Sequence, residues 1–222
     1  MPFDYTPKTI SDIVYHDAAT QQLIDDIVIG TKPFPYAGKN GILLYGRPGT
    51  GKSALAQLLP DAYEAHHSGS PSSARYEDIS VINNDAKLYA SLYNTVHTIP
   101  FGTSLRHIVL NEFDLLLPSV MSSLKNLMDI ADTMFVLVTN NISKIDGSVM
   151  DRCYVINFNA APPERWLPLA HRVMGDYGLP NVTANMLLPY IAQGNGSARE
   201  IVNQLCEFAN LVRVAKGWPP IP

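Results

Sequence analysis

Gly46, Gly51, Lys52 and Ser53 stand in the pattern G-x-x-x-x-G-K-[ST], with Arg47, Pro48, Gly49 and Thr50 between them. The chemistry of such a loop is polyphosphate binding. Glycines let successive backbone N–H groups turn toward one point, and a helix that starts at the end of the loop adds its positive pole. Lys52 brings a point charge for the β- and γ-phosphates, and the Ser53 hydroxyl is a hard oxygen ligand for Mg²⁺. The motif needs a strand before it and a helix after it. Ile42-Leu43-Leu44-Tyr45 and Ala54-Leu55-Ala56-Gln57-Leu58-Leu59 provide both. A chance glycine-rich turn would not bring all three into register. These residues predict a site for a nucleoside triphosphate and Mg²⁺.

A second group has the composition of a metal and water site. The apolar run His107-Ile108-Val109-Leu110 ends in Asn111-Glu112-Phe113-Asp114. In a parallel sheet the C-terminal strand ends form one working edge. Asn111 and Glu112 are therefore expected beside the metal and the γ-phosphate. Glu112 is the candidate general base for an attacking water.

These groups must be positioned by a sheet. Five apolar runs are strand candidates: Ile42–Tyr45, Ile79–Ile82, His107–Leu110, Met134–Val138 and Tyr154–Phe158. Helix-length stretches separate them, which predicts an α/β fold with a five-stranded parallel sheet. Val120, Leu124 and Leu127 share one helical face, as do Ile201, Leu205, Phe208 and Val212. Pro60 is expected to stop the helix after the loop early, and His66 through Ser73 reads as an exposed loop. Ala160-Ala161-Pro162-Pro163 reads as a hinge. The expected organisation is a core over residues 1–159 and a small helical lid over 160–222.

Composition narrows the setting. The 222 residues are 46% hydrophobic and 16% charged, with a net charge of −4. No run of lysine or arginine marks a nucleic-acid or membrane surface. Cys153 and Cys206 lack metal-ligand spacing and suit a reducing cytoplasm. No apolar stretch approaches the ~20 residues needed to span a bilayer, and the N-terminus carries no signal-peptide pattern.

In the order of these segments the chain resembles the AAA+ ATPases, and within them the clamp-loader branch. Tyr5-Thr6-Pro7-Lys8-Thr9-Ile10-Ser11-Asp12-Ile13-Val14 is similar to that branch's N-terminal segment, which lies along the adenine; Thr6 replaces the usual arginine. The resemblance thus implies Val14 as an adenine contact. Gly46–Ser53 matches Walker A, and Leu110–Asp114 resembles Walker B. Phe135-Val136-Leu137-Val138-Thr139-Asn140 resembles the sensor-1 strand, which implies that Asn140 senses the γ-phosphate or holds the lytic water. Asp151-Arg152-Cys153 is similar to the Ser-Arg-Cys box, which implies that Arg152 acts in trans on ATP held by a neighbour in a homo- or hetero-oligomer. Gly196-Ser197-Ala198-Arg199 resembles sensor 2, which implies that Arg199 reaches the phosphates. The implied activity is ATP hydrolysis by a loader or remodeller in DNA replication or recombination, with DNA or a DNA-bound protein as client. A protein remodeller and a nucleotide switch with little turnover are the alternatives. On Lys87–Val96, where clamp loaders face DNA, a single lysine stands among Tyr89, Tyr93, Asn94 and His97. That is a thin driving force for phosphate. Tyr89 and Tyr93 at i, i+4 read first as ordinary packing.

Two departures from the family matter. Clamp-loader subunits carry a helical collar after the lid, whereas this sequence ends at Pro222; assembly is expected through the ATPase domains or through a partner. Asn111 stands where Walker B has aspartate and offers Mg²⁺ a neutral oxygen in place of a charge. On the sequence alone, N111D is expected to hydrolyse ATP faster than the wild type. Steady-state turnover over a Mg²⁺ titration checks this, and an unchanged rate and Mg²⁺ dependence would count against it.

Overall fold

A computed structural model describes residues 3–81, 86–98 and 102–221. It shows one five-stranded sheet, all parallel, in the order β2-β3-β4-β1-β5. The strands are β1 (Gly41–Tyr45), β2 (Arg75–Asp78), β3 (Arg106–Asn111), β4 (Thr133–Thr139) and β5 (Cys153–Asn157). Helices α1 (Ala18–Ile29), α2 (Lys52–His67), α3 (Ala86–Val96), α4 (Pro118–Met128) and α5 (Gly147–Asp151) belong to the same part of the chain. The helical region that follows holds α6 (Leu167–Asp176), α7 (Ala184–Gln193) and α8 (Ala198–Ala215).

The inner strands are apolar because helices cover a parallel sheet on both faces. Every residue of β4 is buried, as are the first four of β1 and the last five of β3. Leu43, Ile108, Leu110, Phe135 and Leu137 join Leu92, Val120, Leu124 and Leu127 in one core. The helical region has its own core of Trp166, Val173, Tyr177, Leu187, Ile201 and Leu205.

The chain packs as two compact units. One is Ala18–Gly46 with Lys52–Phe158; the other is Met1–Asp17, Arg47–Gly51 and Asn159–Pro222. The N-terminal segment therefore groups with the C-terminal helices and not with the sheet, a departure from the expected 1–159 core. Aromatic packing explains it. Phe3 lies 5.5 Å from Tyr177, the Arg172 guanidinium lies over Tyr5, and Phe3, Tyr5 and Val14 pack on the helical core.

Two local expectations fail. The second strand is Arg75–Asp78, not Ile79–Ile82. It is an edge strand, held by backbone pairing to β3 and by Arg75, which bonds Glu77, the Ser91 carbonyl and Thr95. Apolar Ile79 lies just beyond it and is buried; Ile82 lies outside the described residues. Pro60 does not stop the helix either. It is buried inside α2, which runs to His67, so His66 and His67 are helical and not loop. A proline inside a helix costs about 3 kcal/mol or more. The second half of α2 offsets this by burying Leu59, Tyr63 and Glu64.

Glu64 is the polar anchor of that half. Its carboxylate accepts from the Ser104 and Leu105 N–H groups, the Ser104 hydroxyl and His107 Nε2 at 2.6–3.0 Å. Burial alone would raise its pKa, but these donors outweigh it and hold the carboxyl well below its ordinary 4.5. Burial draws the His107 pKa down from 6.5 against the pull of Glu64. His107 Nδ1 has no partner among the described residues. A bare lone pair is tolerated there better than a second N–H, so the ring is neutral and donates through Nε2.

Both groups bind protons more weakly in the folded chain than in the unfolded one. The stability from His107 starts to fall as pH drops through 6.5, and that from Glu64 as pH drops through 4.5 toward its lower folded value. The melting temperature is expected to decline steadily from pH 7 to pH 3. E64A is expected to cost about 3 kcal/mol at neutral pH, since it strands buried donors. Circular-dichroism melts against pH check both; a flat acid limb would count against the pair.

Candidate functional site

The sheet unit brings the metal-binding candidates together. Ser53 lies in the first turn of α2 and Asn111 at the C-terminal end of β3. The Ser53 hydroxyl donates to Asn111 Oδ1 at 2.8 Å. Asn111 Nδ2 in turn donates to Asp78 Oδ2 at 3.0 Å. Asp78 ends β2 and pairs with Asn111 in register. Sequence reading passed over Asp78. The expected strand Ile79–Ile82 begins four residues too late, which leaves Asp78 before it instead of at the working end of Arg75–Asp78. Donation from Ser80 and Asn111 holds its carboxyl below the usual range.

Glu112 follows directly and is half-buried. Its backbone is left-handed, φ 54 and ψ 42, which is costly for a residue with a Cβ. The chain there turns from β3 into a short 3-10 turn, Phe113–Leu115, anchored by fully buried Phe113.

Asp114, on that turn, accepts from the Thr139 hydroxyl at 2.7 Å and the Asn140 N–H at 3.3 Å. It fixes the tip of β4 and leaves the Asn140 side chain exposed. The same carboxylate acts on Lys52. Burial draws the lysine's pKa down to about 8, and Asp114 opposes that. Lys52 Nζ donates to the Gly46 carbonyl at 3.0 Å.

The other unit holds Val14, Arg47–Gly51 and Arg199. Within it, Arg47–Gly51 packs on the start of α8: the Ala198 N–H donates to the Gly49 carbonyl at 2.8 Å. The Thr50 hydroxyl closes the loop on the Arg47 carbonyl. Ser197 caps α8. Arg199 is its second residue and is exposed. A cation at a helix N-terminus gains nothing from the helix dipole, so helix stability does not account for it. Val14 is half-buried against the helical core.

Arg152 is not with the metal-binding candidates. Its carbonyl accepts from the Gly41 N–H where β1 begins, at the N-terminal edge of the sheet. The five residues of β5 separate it from the working edge, about 16 Å at roughly 3.3 Å per residue. Its guanidinium forks onto Asp129 at 2.7 and 2.8 Å and donates to the Ser148 carbonyl.

The donor set suits Mg²⁺. The Ser53 hydroxyl and Asn111 Oδ1, both hard oxygens, meet at the C-terminal edge of the sheet at the first turn of α2, with the Asp78 carboxylate behind the amide. This is the edge at which open parallel sheets bind ligands.

Comparison with known proteins places the fold. The chain belongs to the ATPase family associated with various cellular activities (AAA), whose sequence profile matches residues 42–160. Replication factor C small subunit 1 of Pyrobaculum islandicum is 26% identical over 165 residues, covering 71% of this chain and 46% of that protein. Human replication factor C subunit 5 is 24% identical over 210 residues, covering 90% of this chain and 57% of that one. The chain thus spans about half the length of these curated relatives, and the clamp-loader resemblance of its motifs agrees with them. Among solved structures, the Thermotoga maritima RuvB Holliday junction branch migration motor superposes over 98% of this chain and 69% of its own, with TM-score 0.67 at 14% identity. That likeness concerns the fold alone. No described helix is long and apolar enough to cross a membrane.

Gly46 offers a direct probe of the loop. Its φ is 148, and a Cβ there would come 2.5 Å from the Phe158 carbonyl oxygen. Backbone cannot yield as a side chain can. G46A is expected to cost about 1–3 kcal/mol and to abolish binding of a fluorescent ATP analogue. Melting and fluorescence titration check this; full binding by the variant would show that the turn is not required.

Proposed function

We propose that this chain binds ATP and Mg²⁺ at Gly46–Ser53 and hydrolyses ATP slowly, as one subunit of an oligomer serving DNA replication or recombination. The hydrogen-bonded pair Ser53–Asn111, set beside Glu112 within an AAA fold, carries the reading. Ser53 and Asn111 would hold Mg²⁺, which neutralises phosphate charge when bound. Lys52 and the N–H groups of the loop hold the phosphates. Glu112 orients and deprotonates the attacking water. Asn140, on a tip braced by Asp114, holds that water or the γ-phosphate. Val14 lies along the adenine, and Arg199 couples the nucleotide to the lid, 160–222.

Arg152 stands at the far edge of its own sheet and is paired with Asp129. Its reach is toward a neighbouring subunit, where a guanidinium neutralises charge in phosphoryl transfer. The client is DNA or a DNA-bound protein. The net charge of −4 favours the protein. So do the ring contacts of Tyr89 with Tyr93 and of Tyr93 with His97, which stay within α3.

The test is ATP turnover alone, with primed DNA and with DNA-bound protein, beside the particle mass in ATP. R152A is expected to keep nucleotide affinity while the assembled rate falls about 10³-fold. Mixing R152A with E112Q is expected to restore part of the rate, since each supplies what the other lacks. A monomer under all conditions, or no recovery on mixing, rejects action in trans. Tight binding with no turnover under any condition identifies a nucleotide switch instead.

A further inference from the structure

We infer that Asp78 acts through Asn111 to give the Mg²⁺ site the negative charge that Asn111 itself lacks. The inference rests on the reading of Gly46–Ser53 as an ATP and Mg²⁺ site, and it deepens that reading. The observation is a three-member chain: Ser53 hydroxyl to Asn111 Oδ1, Asn111 Nδ2 to Asp78 Oδ2, at 2.8 and 3.0 Å.

An asparagine amide can face either way. A carboxylate only accepts, so Asp78 must face the amide N–H₂. That requirement turns Oδ1 toward Ser53, the residue with which it would hold Mg²⁺. Asp78 cannot drift from this role, because its other oxygen accepts from the Ser80 N–H at 3.0 Å and the Ser80 hydroxyl at 2.6 Å. Donating to an anion also polarises the amide and makes Oδ1 a stronger ligand. Asp78 is therefore a positioning residue: it touches neither metal nor substrate, and it fixes and charges the group that does. Partners of this kind, one bond behind a ligand, are worth about 10–100-fold in metal affinity.

The arrangement corrects the expectation for N111D. That variant removes the N–H donor and sets a second carboxylate within hydrogen-bonding distance of Asp78. Like charges so close cannot both stay ionised without cost. N111D alone is thus a defective site, and the exchange D78N/N111D is the variant that restores one carboxylate and one amide.

Binding of a fluorescent ATP analogue to the full chain, titrated with Mg²⁺ and repeated in EDTA, tests this without reference to turnover. D78N is expected to need about 10–100-fold more Mg²⁺ for half-maximal enhancement of binding, with its affinity in EDTA unchanged. The latter shows that the loop is still folded. D78N/N111D is expected to recover most of the loss, and N111D alone is not. A D78N titration that overlays the wild type overturns the inference. So does an equal loss with and without Mg²⁺, which marks a purely structural role, and so does an exchange variant no better than D78N. A wild-type chain that binds no analogue in either condition overturns the nucleotide reading itself, and the inference with it.

Discussion

A parallel sheet covered on both faces has room for polar chemistry only along its edges. The inner strands here are buried almost end to end, and their backbone groups are satisfied by each other. Parallel pairing sends every C-terminal end to one edge. Asp78, Asn111 and Thr139 all stand on that edge, one from each neighbouring strand. Their company follows from the register of the sheet, not from any proximity in sequence.

The same constraint separates Arg152 from this group. It precedes β5 and so belongs to the opposite edge. Its fork onto Asp129 is a surface pair, with side chains 24% and 52% exposed. Exposed pairs contribute little, typically below about 1 kcal/mol. A contact that weak can be exchanged for a partner's phosphate at small cost. The proposed role in trans and the pairing seen in one subunit are therefore compatible.

The buried polar groups divide by purpose. Glu64 and His107 are fully enclosed, and the Glu64 carboxylate is satisfied by His107, the Ser104 hydroxyl and backbone N–H groups, which anchors the far half of a proline-containing α2. The near half carries Lys52 and Ser53, which donate to the Gly46 carbonyl and to Asn111 Oδ1. Glu112 bears a strained backbone where the chain leaves β3. Strain of this sort persists only where the surroundings impose it, and buried Phe113 is that surrounding.

The glycine-rich turn Gly46–Ser53 and the helix that follows it were legible because they depend on residue type and local order, with glycines for the turn and Lys-Ser at a helix start. Strands β1, β3 and β4 were legible because burial on two faces demands apolar runs, and β5, though at an edge, because Tyr154-Val155-Ile156 is apolar. The other edge strand, β2, was not, since Arg75–Asp78 is held by backbone pairing more than by hydrophobic side chains. Pro60 misled for a related reason: local propensity argues for a break, and only burial of Tyr63 and Glu64 beyond it overrides the break. The sequence by itself determined the glycine-rich loop between a strand and a helix, the α/β class and the place of Asn111 at the end of a strand. Only the tertiary structure decided which carboxylate stands behind that asparagine, because Asp78 and Asn111 are neighbours through strand register and share nothing in the linear chain.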